Sequence, residues 1–235
     1  MALMKYKDKI TLFGTYFDTN DKLTAKSILS IFQDIASIQA EHIGVGYKTM
    51  LNKNLYWVLS RVKFDIIKMP EPNQVVIATT WPHEKGKIDF DRDLTITSED
   101  GELLITATSK WCVIDTIQRK LQRTENVNYI GEIYPEVNYT DKFNKISPIT
   151  ENLNLAFIHK VKFSDLDHNK HMNNTNYCSL VLNATENNNF SHFEINFLNE
   201  CLLNDEISVY VCKTEDGDFV TGKIDDKTIF NAIIR

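Results

Sequence analysis

The sequence has no run of about 18 consecutive apolar residues, so no helix is expected to span a membrane. Its opening residues, Met-Ala-Leu-Met-Lys-Tyr-Lys-Asp-Lys, have no apolar core of signal-peptide length, which makes the cytoplasm the default expectation. Cysteine is scarce. Cys112, Cys178, Cys201 and Cys212 stand far apart and form no Cys-x-x-Cys pair, a spacing that gives neither a zinc site nor a disulfide framework. Three of them lie in apolar runs, where a buried free thiol is the simple reading. Basic charge is also lacking: 26 basic against 32 acidic residues leave a net charge of −6, a poor balance for nucleic-acid binding. Two short basic runs (Arg119-Lys120 with Arg123, and Lys5, Lys7, Lys9) read as solvated faces, or as a docking surface for one acidic partner. What is present, 43% hydrophobic and 25% charged residues over 235 positions, fits one large globular domain or two small ones.

Ile28, Ile31, Phe32, Ile35 and Ile38 recur at three and four residues, predicting a helix with a wide apolar face. Ser27, Ser30, Asp34, Ser37 and Glu41 form the narrower polar stripe; Thr24 is the expected N-cap and Gly44 the C-terminal stop. The segments 56–68, 74–81, 87–98 and 102–115 are rich in Val, Ile, Thr and aromatics and predict long antiparallel strands around that helix, an α+β arrangement. Residues about 121–152, with Asn126, Asn128, Gly131, Pro135, Asn138 and Pro148, read as a linker. The scheme then repeats: a strand over 155–163, a helix over 173–186 with Tyr177, Leu180, Val181 and Ala184 inward, and strands over 192–198, 206–213, 218–224 and 227–235.

The repeat has a register. Asp18, Asn20 and Thr24 stand 149 residues before Asp167, Asn169 and Asn173, and Val62–Ile67 resembles Phe193–Leu198 at an offset of 131. Two matches in the same order beside the same elements favour a tandem duplication. The copies differ where the second has His171 and the first Lys22.

Polar residues crowd one stretch: Asp165, Asp167, Asn169, His171, Asn173 and Asn174 fall within ten positions ahead of the second helix. Three readings compete. A calcium loop would need a glycine and a distal glutamate where Lys170 and Asn176 stand, so no metal is expected. A polar turn with Asn173 as N-cap accounts for any single Asx. A reactive site accounts for a histidine beside carboxylates and amides at a helix start, where backbone N–H groups can also stabilise an oxyanion.

The motif Asp-Leu-Asp-x-Asn-x-His-Met-Asn-Asn-x-x-Tyr (Asp165–Tyr177) resembles the signature of the acyl-acyl carrier protein thioesterases. The resemblance extends to Glu200-Cys201, to Trp57-Val-Leu-Ser-Arg61, Thr80-Trp81-Pro82, Arg92-Asp93, Trp111 and Ile114-Asp115, covering most of the chain. It implies two tandem hotdog domains, each a long helix wrapped by an antiparallel sheet: an acyl-binding domain over 1–125, a linker over 126–152 and a catalytic domain over 153–235. It also implies catalysis by Asp167, Asn169, His171 and Glu200, without a cofactor, on a fatty acyl thioester carried by acyl carrier protein. Cys201 offers a rival Cys-His-Asn scheme, since a nearby imidazole can activate a thiol. Trp57, Leu59, Phe64, Ile66 and Trp81 are read either as the lining of an acyl tunnel or as core. A hotdog hydrolase of coenzyme A thioesters and a non-catalytic acyl-binding module remain open alternatives, as do a monomer and a homodimer.

Overall fold

The computed structural model describes residues 4–186 and 188–235; Met1–Leu3, the first residues of the expected N-terminal domain, lie outside the described residues. The first half runs β1 (Tyr6–Thr11), α1 (Ala25–His42), α2 (Tyr47–Leu51), β2 (Leu55–Ile66), β3 (Val75–Pro82), β4 (Phe90–Ser98) and β5 (Leu103–Asp115). The second runs β6 (Asn154–Lys160), α3 (Asn174–Thr185), β7 (His192–Phe197), β8 (Glu206–Thr214), β9 (Gly217–Ile224) and β10 (Lys227–Ile234). All ten strands form one antiparallel sheet in the order β1-β3-β4-β5-β2-β7-β10-β9-β8-β6.

That order reads alike outward from its centre, as a duplication requires. The seam tests the offset of 131 directly. If β2 and β7 are copies related by a two-fold axis, one residue must face its own equivalent. Lys63 faces Glu194, and Phe64 faces Phe193. The two helices pack together, and their apolar sides share a single core with the inner face of the sheet, Ile28, Phe32 and Ile35 meeting Tyr177, Leu180 and Val181 among the seam phenylalanines. This is the α+β double hotdog.

Local chemistry sets the helix ends. The Thr24 side chain accepts from the Ser27 amide, and Gly44 takes the left-handed φ of +78° that stops α1. Ile38, expected on the apolar face, is instead exposed, and Ser27, expected on the polar stripe, is buried at the cap. Helix α3 starts at its Asn173 cap as expected, with Ala184 half-buried.

Two elements escape a reading of periodicity. The alternating lysines mark edge strand β1: Lys7 and Lys9 point outward, Lys9 pairs with Glu99, and Lys5 sits 3.7 Å above the Tyr134 ring. Lysines on an edge strand also discourage pairing with another chain. Helix α2 is too short to show a pattern. The region read as a linker has no strand but is pinned to the sheet by side chains. Asn138 Nδ2 donates to the Leu94 and Ala107 carbonyls, Tyr139 Oη donates to Asp65, and Arg61 donates to the Phe143 carbonyl. Linker backbone, without a ladder of its own, is met by the Arg61 bond and by Asn196 Oδ1, which accepts from the Ile146 amide.

Candidate active site

The polar stretch divides into parts with different work. Asp165 accepts from His159 Nε2 (2.9 Å) and from the Lys162 amide, and Asn173 accepts from the Thr175 amide and hydroxyl. These two are turn and cap residues. Asp167 Oδ1 accepts from the amides of Asn169 (2.8 Å) and His171 (3.3 Å). In the first half Asp18 Oδ1 accepts from Asn20 and Lys22 at 2.8 and 2.9 Å. Asp21 and Lys170, again 149 positions apart, share a left-handed φ, and a short 3₁₀ turn (Gly14–Tyr16, Phe163–Asp165) precedes each loop. The two loops are the same Asx-based turn. What differs is the side chain each presents: Lys22 in one, His171 in the other.

The loop after β7 brings a second group to this turn. Leu198 and Asn199 donate to the Ile229 carbonyl, and Met172 donates to the Cys201 carbonyl at 2.9 Å. These bonds bring Glu200 Oε2 to 3.3 Å from His171 Nε2. Cys201, one residue on, turns the other way. Its thiol is fully buried, hydrogen-bonded to the Tyr177 hydroxyl, and burial pushes it up to about 11.

Glu200 is also held from the first half, which the sequence did not reveal. Arg119 Nη2 lies 2.5 Å from Glu200 Oε2, Tyr56 Oη donates to Glu200 Oε1 at 3.2 Å, and Arg119 Nη1 donates to Tyr56 Oη at 3.1 Å. Burial and then the Glu200 charge push the Tyr56 hydroxyl up to about 12, so it stays a donor at neutral pH. Arg119 belonged to the basic run read as a solvated or docking surface; here its charge meets a carboxylate.

Asp167, Asn169, His171 and Glu200 all line a cavity of about 910 Å³, together with Tyr56, Trp57, Leu59 and Arg119 of the first half. That size is at the upper end for small-molecule sites. Asn169 is exposed at its mouth, where the neighbouring His168 meets the Tyr47 ring of α2 edge-on. Trp57 donates Nε1 to the Val45 carbonyl and crosses Phe90 edge-on, which fixes its ring in the wall. Phe64 and Trp81 are buried core and Ile66 packs against the core; the cavity lining includes none of the three. No group of three or more potential metal-ligating residues is gathered among the described residues.

The fold and this cavity define a class: a double-hotdog protein with an imidazole, two carboxylates and an amide facing a cavity between its halves. The chain belongs to the acyl-ACP thioesterase family. Residues 4–130 match the family's N-terminal domain and residues 147–228 its C-terminal domain. Among relatives, the chain is 26% identical over 236 residues to the chloroplastic oleoyl-acyl carrier protein thioesterase 1 of Arabidopsis thaliana, covering 91% of this chain and 65% of that protein. It is 32% identical over 167 residues to the chloroplastic palmitoyl-acyl carrier protein thioesterase of Gossypium hirsutum, covering 65% of this chain and 40% of that protein. The chain thus spans less than two thirds of the length of these plant relatives. In fold it matches an acyl-ACP thioesterase from Bacteroides thetaiotaomicron VPI-5482 with a TM-score of 0.85 at 21% identity, covering 98% of this chain and 97% of that one. The 12:0-ACP thioesterase from Umbellularia californica matches with a TM-score of 0.82 at 17% identity, covering 99% and 96%.

Proposed function

We propose that this chain hydrolyses fatty acyl-acyl carrier protein thioesters to free fatty acid and holo-acyl carrier protein. The observation that carries this reading is the His171–Glu200 pair, 3.3 Å apart and facing a cavity of about 910 Å³ beside Asp167 and Asn169. Family membership supports acyl carrier protein over coenzyme A as the thiol carrier.

In the proposed reaction a water held by Glu200 gives up a proton as its oxygen attacks the thioester carbonyl. The Asn169 amide orients that carbonyl, and Asp167 is the second carboxylate available to hold the water. Glu200 takes that proton and passes it across the 3.3 Å contact to His171; collapse of the tetrahedral intermediate breaks the C–S bond, and His171 gives the proton to the departing sulfur. No covalent acyl-enzyme is required. The first half supplies cavity wall, Trp57 included, and the second supplies the acid–base groups. Two fused hotdogs already form the pair that single hotdogs reach by dimerising, so one chain suffices as the working unit.

Matched acyl chains on acyl carrier protein and on coenzyme A test the reading. Faster release from acyl carrier protein supports it. Faster release from coenzyme A favours the coenzyme A hydrolase, and acyl binding without turnover on either favours a binding module.

Cys201 bears on the nucleophile. A buried thiol held up at about 11 and bonded to Tyr177 is a poor source of thiolate at neutral pH. Cys201→Ala is therefore expected to keep kcat within about threefold of the parent, a change of the size expected when no transition-state contact is lost. Rapid-quench assays for a covalent acyl-enzyme check the same point; its accumulation in the parent and disappearance in Cys201→Ala would revive the thiol scheme.

A further inference from the structure

Glu200 lies within the loop between β7 and β8, its side chain a third exposed, and a carboxylate there can rotate freely unless something holds it. Both of its oxygens are held from the first half of the chain, by Arg119 Nη2 at 2.5 Å and Tyr56 Oη at 3.2 Å, while Oε2 also faces His171 Nε2 at 3.3 Å. The contacts span 81 and 144 residues of sequence, so they form only when the two halves close on each other.

The backbone at Arg119 gives a second, independent observation. Arg119 has φ +54°, a conformation that suits glycine and strains a long side chain. The turn that holds it does not need the guanidinium: Asp115 Oδ1 accepts from the amides of Ile117 and Gln118, and the Asp115 carbonyl accepts from Arg119 N. The side chain is more than half exposed, and an ion pair so exposed adds little to stability. A guanidinium that closes no turn and is buried in no core, on a residue whose φ suits glycine, is explained by what its fork holds.

We propose that Arg119 and Tyr56 are positioning residues that fix the Glu200 carboxylate against His171, so that the acid–base pair of the second half is completed by the first. This rests on the thioesterase reading. The guanidinium fork links the two holds, with Nη2 donating to Glu200 Oε2 and Nη1 to the Tyr56 hydroxyl that donates to Oε1. The rival use of Arg119 is as part of a basic surface, with Lys120, for an acidic carrier. That use would act on binding; the positioning role acts on the chemical step.

The test is steady-state kinetics on an acyl-acyl carrier protein thioester across pH, with thermal melts, for the parent, Arg119→Gly, Arg119→Lys, Tyr56→Phe and Lys120→Ala. Arg119→Gly is expected to lose about tenfold in kcat with KM within about twofold, because loosening a reacting group costs the chemical step. Its melting temperature should be unchanged or higher, since glycine relieves the strained φ. Arg119→Lys should recover part of the rate, Tyr56→Phe should lose less than Arg119→Gly, and Lys120→Ala should behave as the parent. Parent-like kcat in Arg119→Gly overturns the proposal, as does a loss confined to KM and shared by Lys120→Ala, or a rate loss that follows a lowered melting temperature. A parent inert on every thioester overturns the hydrolase reading itself, and the proposal with it; turnover by the parent that vanishes in Glu200→Gln and is unchanged in Arg119→Gly overturns the positioning role alone.

Discussion

Glu200→Gln is expected to lower kcat by ~10²–10⁴-fold, the range that general acid–base catalysis contributes, with little change in KM. The substitution keeps the shape of the side chain and can still accept a bond from Tyr56. It removes the one property the proposed step needs, a group that takes a proton from water beside His171. His171→Ala should fall in the same range, and the double variant should cost little more than either single one, because residues that act as a unit are not additive. Steady-state turnover of an acyl-acyl carrier protein thioester measures the loss, and near-ultraviolet circular dichroism shows whether the fold survives. Retention of more than about a tenth of parental kcat by Glu200→Gln would assign the general base elsewhere, with Asp167 the next carboxylate to test.

The second large effect is on stability. Phe193→Ala should destabilise the fold by about 3–5 kcal/mol, the range for deleting a fully buried aromatic side chain from a packed core. The Phe193 ring stacks on Phe64 at 5.1 Å and 14°, both side chains are fully buried, and the two residues face each other across the β2–β7 seam. For a chain of this size the loss amounts to roughly 6–20 °C in melting temperature. Phe163, 84% exposed, is the control of the same type, and its alanine variant should stay within about 0.5 kcal/mol of the parent. Urea unfolding midpoints measure both, provided the slope is unchanged. A cost at Phe193 below about 1 kcal/mol would show that the seam repacks around the void, contrary to a close-packed junction.

The seam matters beyond stability because both contacts on Glu200 cross it. A variant that loosens β2 against β7 should lose rate before it unfolds, which separates this junction from core positions remote from the cavity.

Much of this was legible in the sequence where the cause is local. A helix with isoleucines at three- and four-residue spacing, a threonine cap and a glycine stop forms as read, because each signal acts within one or two turns of chain. The paired Asx turns at Asp18 and Asp167 are legible for the same reason: an aspartate bonds amides two and four residues on, whatever surrounds it. Strand β1 was hidden because its lysines look like any solvated run until a partner strand is known. Helix α2 was hidden because five residues carry no period.

The sequence by itself determined which half carries His171, since the change from Lys22 to His171 at matching positions of one repeated turn is visible in the letters. It also determined that Glu200 and Cys201 come as neighbours, but not which of them faces the cavity. Both lie in the loop between β7 and β8, where no strand alternation assigns their faces, and the bond from Met172 to the Cys201 carbonyl helps set which one turns toward His171. Tertiary structure alone decided that Arg119 and Tyr56 meet Glu200. Contacts across 81 and 144 residues leave no mark in local pattern, because they arise from the pairing of β2 with β7 at the seam of one sheet rather than from the propensity of any segment.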